Sequence, residues 1–360
     1  MKKVAILTNI PRPYRIGFFN ELSKFLKERN VELKVFFYSS LSEYPERKEN
    51  IKEEDFRFDF SYLKYGFLKF KGRKIFFIKN LEKILRENGI DIVIVGNMSL
   101  VAYQVSTINI KKILWSGSFN EWGLFRVFFR KKLLKKFDAI ISYSTICKGY
   151  FKELGFPSEK IFVATNSVDT SFFQIEDFSK KDFSYLKILF CGKLNKRKGA
   201  HIIPEIIKKI NCEFQFNIVG DGEYYEILKG EIVKRRLEDK VFLRGFLQPE
   251  KLRDIYHESN LFLFPTFRDP WGLVVNEAMA GGMAILSSIY AGVTYDLIFE
   301  DLNGYRINPG DIEDILRKIN FLGSNLHILK EFGSNSLRIV KKESGFHKMC
   351  EGFWEAISSI

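Results

Sequence analysis

Short β-rich runs alternate with helical segments along this chain, and the alternation occurs twice, which is the pattern of parallel sheets covered by helices. In the first half the runs expected to be strands are 4–8, 32–38, 92–95, 112–115, 139–143 and 161–164. In the second they are 187–191, 214–219, 241–244, 261–265, 284–287 and 304–307. Residues 169–187 break the rhythm with mixed charged and aromatic side chains, so the linker is expected there. A chain of 360 residues with 46% hydrophobic content has the length and apolar mass for two domains. The expected fold class is α/β: two Rossmann-like, doubly wound domains, 1–180 with the linker and 181–343. Open parallel sheets bind ligands outside the carboxyl ends of their strands, so two facing sheets would enclose a cleft.

Several function classes are disfavoured at once. No run approaches the ~18 apolar residues of a membrane span, and Met1-Lys2-Lys3 leads directly into a strand-like VAILT, so the expected location is cytoplasmic. Cys147, Cys191, Cys212 and Cys350 lack metal-ligand spacing, and neither a disulfide framework nor a bound metal is expected. In Gly220-Asp221-Gly222, Tyr225 stands where a dinucleotide fingerprint needs its third glycine, which argues against NAD.

The richest segment is 261–282, LFLFPTFRDPWGLVVNEAMAGG: an apolar strand, a polar loop turned by Pro270 and Gly272, then a helix. A helix opening at Gly272 leaves the N–H groups of Gly272, Leu273 and Val274 unsatisfied, and with the helix dipole these suit a diphosphate. Asp269 lies in the loop and Glu277 in the helix, where both carboxylates could line one pocket. The helix is apolar nearly all round, so a carboxylate on it needs hydrogen-bond partners. A second segment, KILFCGKLNKRKGAHII, ends a strand in Gly192 and carries Lys193, Lys198 and Gly199 through a basic loop into a helix. The loop carries Lys193 as a point charge, without the bidentate geometry of Arg.

These segments resemble the retaining glycosyltransferases of family 4, which have the GT-B fold. The resemblance is strong over 187–309 and diffuse before it. Asp269 and Glu277 match the family's paired carboxylates, with Asp in place of the usual Glu at the first. The resemblance implies that Glu277 holds the ribose hydroxyls, that Asp269 approaches the sugar hydroxyls, and that backbone amides from Trp271 onward bind sugar and phosphate. Lys193 and Lys198 fall where the family sets Arg and Lys against the donor diphosphate. Gly220 belongs to a glycine turn on the donor side, and Gly245 and Phe246 fit the base-binding loop, although Phe246 could equally be core. In the first half NIPRPYRIGFFNEL matches relatives whose first loop carries Arg12, Tyr14 and Arg15 toward donor phosphate or acceptor. The last segment, 344–360, looks like the helix that in this fold crosses back onto the first domain. Many relatives place a His from the first domain near the sugar, but His201, His257, His327 and His347 all lie in the second half. Glu121 is the nearest candidate for an acceptor base, with a simple surface Glu the competing reading.

Charge divides the halves: residues 1–180 carry 32 Lys+Arg against 20 Asp+Glu, a net +12, and residues 181–360 a net +1. Such asymmetry attracts anions, whether lipid headgroups or phosphorylated substrates, or reflects a solvated basic surface. Residues 122–137, WGLFRVFFRKKLLKKF, set Trp122, Phe125, Phe129, Leu133 and Phe137 at helical spacing among six cations. A core stripe and an anionic membrane surface are equally served by that pattern.

The function implied is transfer of a sugar from a UDP- or GDP-linked donor to a saccharide or lipid-linked acceptor hydroxyl, with retention, in cell-surface polysaccharide or glycolipid assembly. No cofactor or metal is expected, since no Asp-x-Asp occurs, and nucleic acid is not an expected partner because no recognition module is visible. A sugar-nucleotide epimerase or phosphorylase, and a non-catalytic scaffold that binds sugar nucleotide, remain the alternatives.

Overall fold

The computed structural model describes residues 1–39, 52–70, 73–119 and 124–360. They form two compact units: Met1–Val168 together with Phe346–Ile360, and Asp169–Gly345.

In the first unit β1 (Lys2–Thr8), β2 (Val31–Phe37), β3 (Asp59–Tyr62), β6 (Ile92–Gly96), β7 (Lys111–Ser116), β8 (Ala139–Ser142) and β9 (Ile161–Val163) form one parallel sheet. Their order is β3-β2-β1-β6-β7-β8-β9, and β4 (Tyr65–Phe70) with β5 (Arg73–Ile78) forms a separate antiparallel hairpin. β1 is an interior strand, pairing Val4 with Leu33 on one side and Ile92 on the other, and Val4 to Leu7 are fully buried. That explains its continuous apolar run, because helices cover both faces of such a strand. The helix Phe346–Ser358 buries Met349, Cys350, Phe353, Ala356 and Ile357 in the core of this unit.

In the second unit β10 (Leu186–Cys191), β11 (Phe214–Val219), β12 (Val241–Gly245), β13 (Leu261–Phe264), β14 (Ala284–Ser288) and β15 (Gly304–Ile307) take the order β12-β11-β10-β13-β14-β15. The order reverses between β10 and β13, the position at which an open parallel sheet parts its loops to admit a ligand. Both chemically suggestive segments emerge there.

The twelve expected strands all form, most shifted by a residue at one or both ends. β3 and the β4–β5 hairpin were not expected. The boundary lies at Val168/Asp169, ahead of the expected 180/181. The segment read as linker packs with the second unit: the Ile175 N–H donates to the Ala280 carbonyl, and Lys181 is buried with its ammonium on three carbonyls.

Candidate functional site

Three glycine turns at the carboxyl ends of β10, β11 and β12 are tied together. The Gly192 N–H donates to the Val219 carbonyl (3.0 Å) and the Gly220 N–H to the Gly245 carbonyl (2.8 Å). Gly220 has φ 135°, and a Cβ there would overlap the Gly192 carbonyl oxygen, so no other residue fits this crossing.

The loops after β10 and β13 are joined more directly. The Phe267 N–H and the Thr266 hydroxyl both donate to the Arg197 carbonyl, at 2.8 and 3.0 Å, and Arg197 donates to the Arg268 carbonyl at 2.9 Å. Asn195 caps the short turn Lys196–Lys198 by accepting from the Lys198 N–H. This geometry brings the Lys198 ammonium onto Asp269 in an ion pair whose side chains are only 15% and 14% exposed, with Arg197 at 4.0 Å. Asp269 also accepts from the Trp271 N–H (3.2 Å), and its own backbone bridges to the loop after β14. Two segments far apart in sequence thereby supply one neutralised, largely buried pair.

Phe264, the last residue of β13, connects this pair to the helix. Lys198 Nζ lies 5.0 Å above its ring, and a Cβ on Gly272 would sit 2.7 Å from the same ring. Gly272 takes φ 110° as the N-cap of Leu273–Ala280, and no side chain caps that end. Leu273 and Val274 open the helix half-buried, with Val275 the first N–H to return to Gly272.

Glu277 is half-buried one turn further on. Its Oε2 accepts from the Tyr256 hydroxyl at 2.8 Å. Burial pushes its carboxyl up to about 7, and the Tyr256 hydrogen bond pulls in the opposite direction. Beside it the Cys191 thiol, pushed up to about 12 by burial, feels Glu277, Tyr256 and Lys198 together. The end of β10 therefore adjoins both the carboxylate and the ion pair.

Other expected residues divide. Lys193 is exposed and has no ion-pair partner among the described residues. Phe246 is 52% exposed, which removes the core alternative for it. Trp271 is framework: it is buried, its N–H serves Asp269, and its indole donates to Asn276 (2.9 Å), which in turn donates to Ser344 (2.6 Å). Gly199 follows the basic turn against Pro265.

In the first unit Arg12 is the N-cap of the helix Pro13–Lys27, and Tyr14 and Arg15 occupy its first turn. The Arg15 guanidinium lies 3.8 Å above the Trp115 ring and donates to the Tyr143 hydroxyl at 3.0 Å. It has no carboxylate partner among the described residues, and its Nη1 is buried without an acceptor. Glu121 and Trp122 lie outside the described residues, as does the side chain of Phe125. Around the helix Leu124–Leu134 the expected stripe is only partly internal: Phe137 is buried and Leu133 half-buried against the core, but Phe129 is 54% exposed; off the stripe, Leu134 is buried and Phe128 is 62% exposed. Among the described residues no helix is long and apolar enough to cross a membrane.

Tyr256 and Lys181 were not anticipated. Tyr256 is the buried residue of the amphipathic helix Pro249–Glu258, a signal of burial that carries no indication of its partner.

Two family models match the chain: Glycosyltransferase Family 4 over residues 18–172 and Glycosyl transferases group 1 over 172–337. The putative colanic acid biosynthesis glycosyltransferase WcaL of Escherichia coli is 25% identical over 198 residues, 52% of this chain and 48% of that protein. The amylovoran biosynthesis glycosyltransferase AmsK of Erwinia amylovora is 28% identical over 193 residues, 51% and 46% of the two chains. The chain thus spans about half the length of the curated relatives it matches. Among solved structures, HepE of Anabaena in complex with UDP has a TM-score of 0.77 at 16% identity over 100% of both chains. Sucrose-phosphate synthase of Thermosynechococcus elongatus has 0.77 at 15%, over 100% of this chain and 99% of the other. The fold shared with them is GT-B.

Proposed function

From the premise that residues 18–337 of a GT-B chain are glycosyltransferase-family domains, we propose that this protein transfers a sugar from a nucleotide-linked donor to an acceptor hydroxyl in polysaccharide assembly. The colanic acid and amylovoran assignments of its relatives support the pathway class, and neighbours solved with UDP and with UDP-glucose support a nucleotide-sugar donor. The observation that carries the reading is the Lys198–Asp269 pair at the switch point of the second sheet. There Lys198, the exposed Lys193 and the uncapped helix at Gly272 meet the donor diphosphate, which shares Lys198 with Asp269. Glu277 accepts from the ribose hydroxyls, and Asp269 turns toward the sugar. The fixed cations stabilise the leaving nucleotide without a metal, and departure on the face of attack gives retention. The basic first unit receives the saccharide or lipid-linked acceptor, with Arg15 available to an anionic group on it.

Thermal shift against UDP, GDP and their common sugars tests this, because a ligand that binds only the folded state raises Tm by mass action. One nucleotide series should stabilise the parent protein, and Lys198→Ala should lose most of that shift. A folded Lys198→Ala and a folded Glu277→Ala that both glycosylate at the parental rate would end the reading.

The proposal extends to an anionic membrane surface. Exposed Phe128 and Phe129 stand beside exposed Lys131, Lys132, Lys135 and Lys136, an arrangement suited to apolar insertion with headgroup attraction of about 1 kcal/mol per cation. Sedimentation with anionic liposomes should fall with salt and fall again in Phe128→Ser/Phe129→Ser. Binding absent at every lipid charge removes this part alone.

A further inference from the structure

We propose that Tyr256 is the positioning residue for Glu277, holding one carboxylate oxygen so that the other faces the nucleotide. The inference rests on the donor-site reading of Glu277. Tyr256 lies on the helix Pro249–Glu258 and Glu277 on Leu273–Ala280, and the phenol bridges them through its 2.8 Å hydrogen bond to Oε2. Oε1 accepts no hydrogen bond among the described residues, which leaves it for a ligand hydroxyl. Two weaker partners compete for the phenol: the Val274 carbonyl at 3.5 Å, too distant to hold it, and the Cys191 thiol, a poorer acceptor than a carboxylate.

The phenol is itself fixed from several sides. Its ring is fully buried, edge-on to Phe173 at 5.7 Å and 6.1 Å from Phe262. Gly281 ends the carboxylate helix so close to it that a Cβ there would sit 3.0 Å from the Tyr256 Cβ. Lys181 donates to the carbonyls of Tyr256 (3.0 Å), His257 (2.7 Å) and Gly281 (2.8 Å), so one ammonium ties together the carboxyl ends of both helices. A carboxylate on a single helix turn has three torsions to settle. One held by a phenol that cannot move has a preset orientation and loses less freedom on binding.

The titratable groups around Glu277 separate by pH. The Tyr256 phenol and the Cys191 thiol are both pushed up by burial and stay protonated near neutrality. Lys198 reaches the Cys191 thiol electrostatically and is neutralised by Asp269. Lys181 is pushed down to about 7 by burial, close to Glu277 itself, although its three carbonyl bonds favour the charged form. The signature of Tyr256 is therefore a movement of the acid limb, not its location. Removing the hydroxyl removes a bond that favours ionised Glu277 and leaves Lys181 in place.

The test is calorimetric titration with UDP between pH 5.5 and 9, or with GDP if that is the nucleotide bound, in the parent, Tyr256→Phe, Glu277→Gln and the double variant. Tyr256→Phe should weaken binding about tenfold at pH 7, with the deficit shrinking toward pH 9 as the acid limb moves upward. In the Glu277→Gln background the same change should have a much smaller effect, and its pH dependence should vanish. A loss of equal size in both backgrounds, or a pH-independent loss, would mean that Tyr256 is only structural and would overturn the proposal. So would parental affinity in a folded Tyr256→Phe whose Glu277→Gln counterpart is impaired. If Glu277→Gln and Glu277→Ala also bind normally, the donor-site reading has failed as well. Should Tyr256→Phe fold poorly, Tyr256→Leu, which is smaller than the site and has no donor, gives the same comparison in both backgrounds.

Discussion

Glu277 is a residue whose chemistry opposes the stability of the fold that holds it. Its folded carboxyl titrates near 7 against a reference of 4.5. A carboxyl with a raised folded value contributes stability that is complete below about 4.5 and is lost as pH climbs through 7, because the folded state must then carry a desolvated charge. Discounted for its partial exposure, the cost above pH 8 is on the order of 2 kcal/mol. Glu277→Gln keeps an acceptor for Tyr256 without the charge. It should raise Tm by several degrees at pH 8 and leave it unchanged at pH 4.5, as a pH series of thermal melts would read. A gain of equal size at both pH values would show that burial of charge is not the cause. Glu277 and Asp269 stand out in the sequence by their setting, a carboxylate in an apolar helix and an acid in a turn between strand and helix. Tyr256 was not legible because its role lies in an interhelical hydrogen bond to a residue 21 positions on. The partner of the Trp271 indole, Asn276, was not legible for the same reason, since that hydrogen bond depends on how the loop folds onto the helix.

At the scale of elements, the turn at the end of β11 has less freedom than any helix around it. Gly220→Ala sets a Cβ into the Gly192 carbonyl at φ 135°, so a shift must propagate to the edge from which Lys193 projects. The expected cost exceeds about 2 kcal/mol and should weaken nucleotide binding. Gly230→Ala is the matched control, in the exposed interior of the helix Tyr225–Lys234 with open space around it. It should gain up to about 1 kcal/mol through helix propensity. Melts of the two variants should move in opposite directions. Buried parallel strands such as β10 and β13 were readable as apolar runs because helices cover both faces. β3 and β4 were missed because their sequences, DFSY and YGFLKF, interrupt aromatic residues with polar or charged ones; β5 carries a four-residue apolar run, Ile75 to Ile78, but its partner strand gives no matching signal. β3 is held at the sheet edge by its parallel pairing with β2 and by aromatic contacts to that strand such as Phe60 on Phe37 at 6.4 Å, which period-2 patterning does not capture.

At the scale of the molecule, the chain leaves the first unit at Val168, builds the second, and returns at Phe346. The return is stabilised by Phe353, fully buried with its ring 4.9 Å from Trp115 and 5.0 Å from Phe18. The amphipathic pattern of the last helix reveals which face is apolar but not which sheet it covers, so its destination came from family resemblance alone. The charge asymmetry, in contrast, was readable in full, since counting needs no contacts. Phe353 separates the stabilities of the units: it belongs to the core cluster of the first and lies outside those of the second. Phe353→Ala removes an aromatic ring from a close-packed site, at a cost of about 3–5 kcal/mol. Calorimetry should show the transition of the first unit moving down while that of the second, followed by its stabilisation with the bound nucleotide, stays in place. Limited proteolysis at an intermediate temperature should then cleave within residues 1–168 first. If both transitions fall together, the two cores unfold as one cooperative system, and the final helix stabilises the whole chain rather than the unit it packs on.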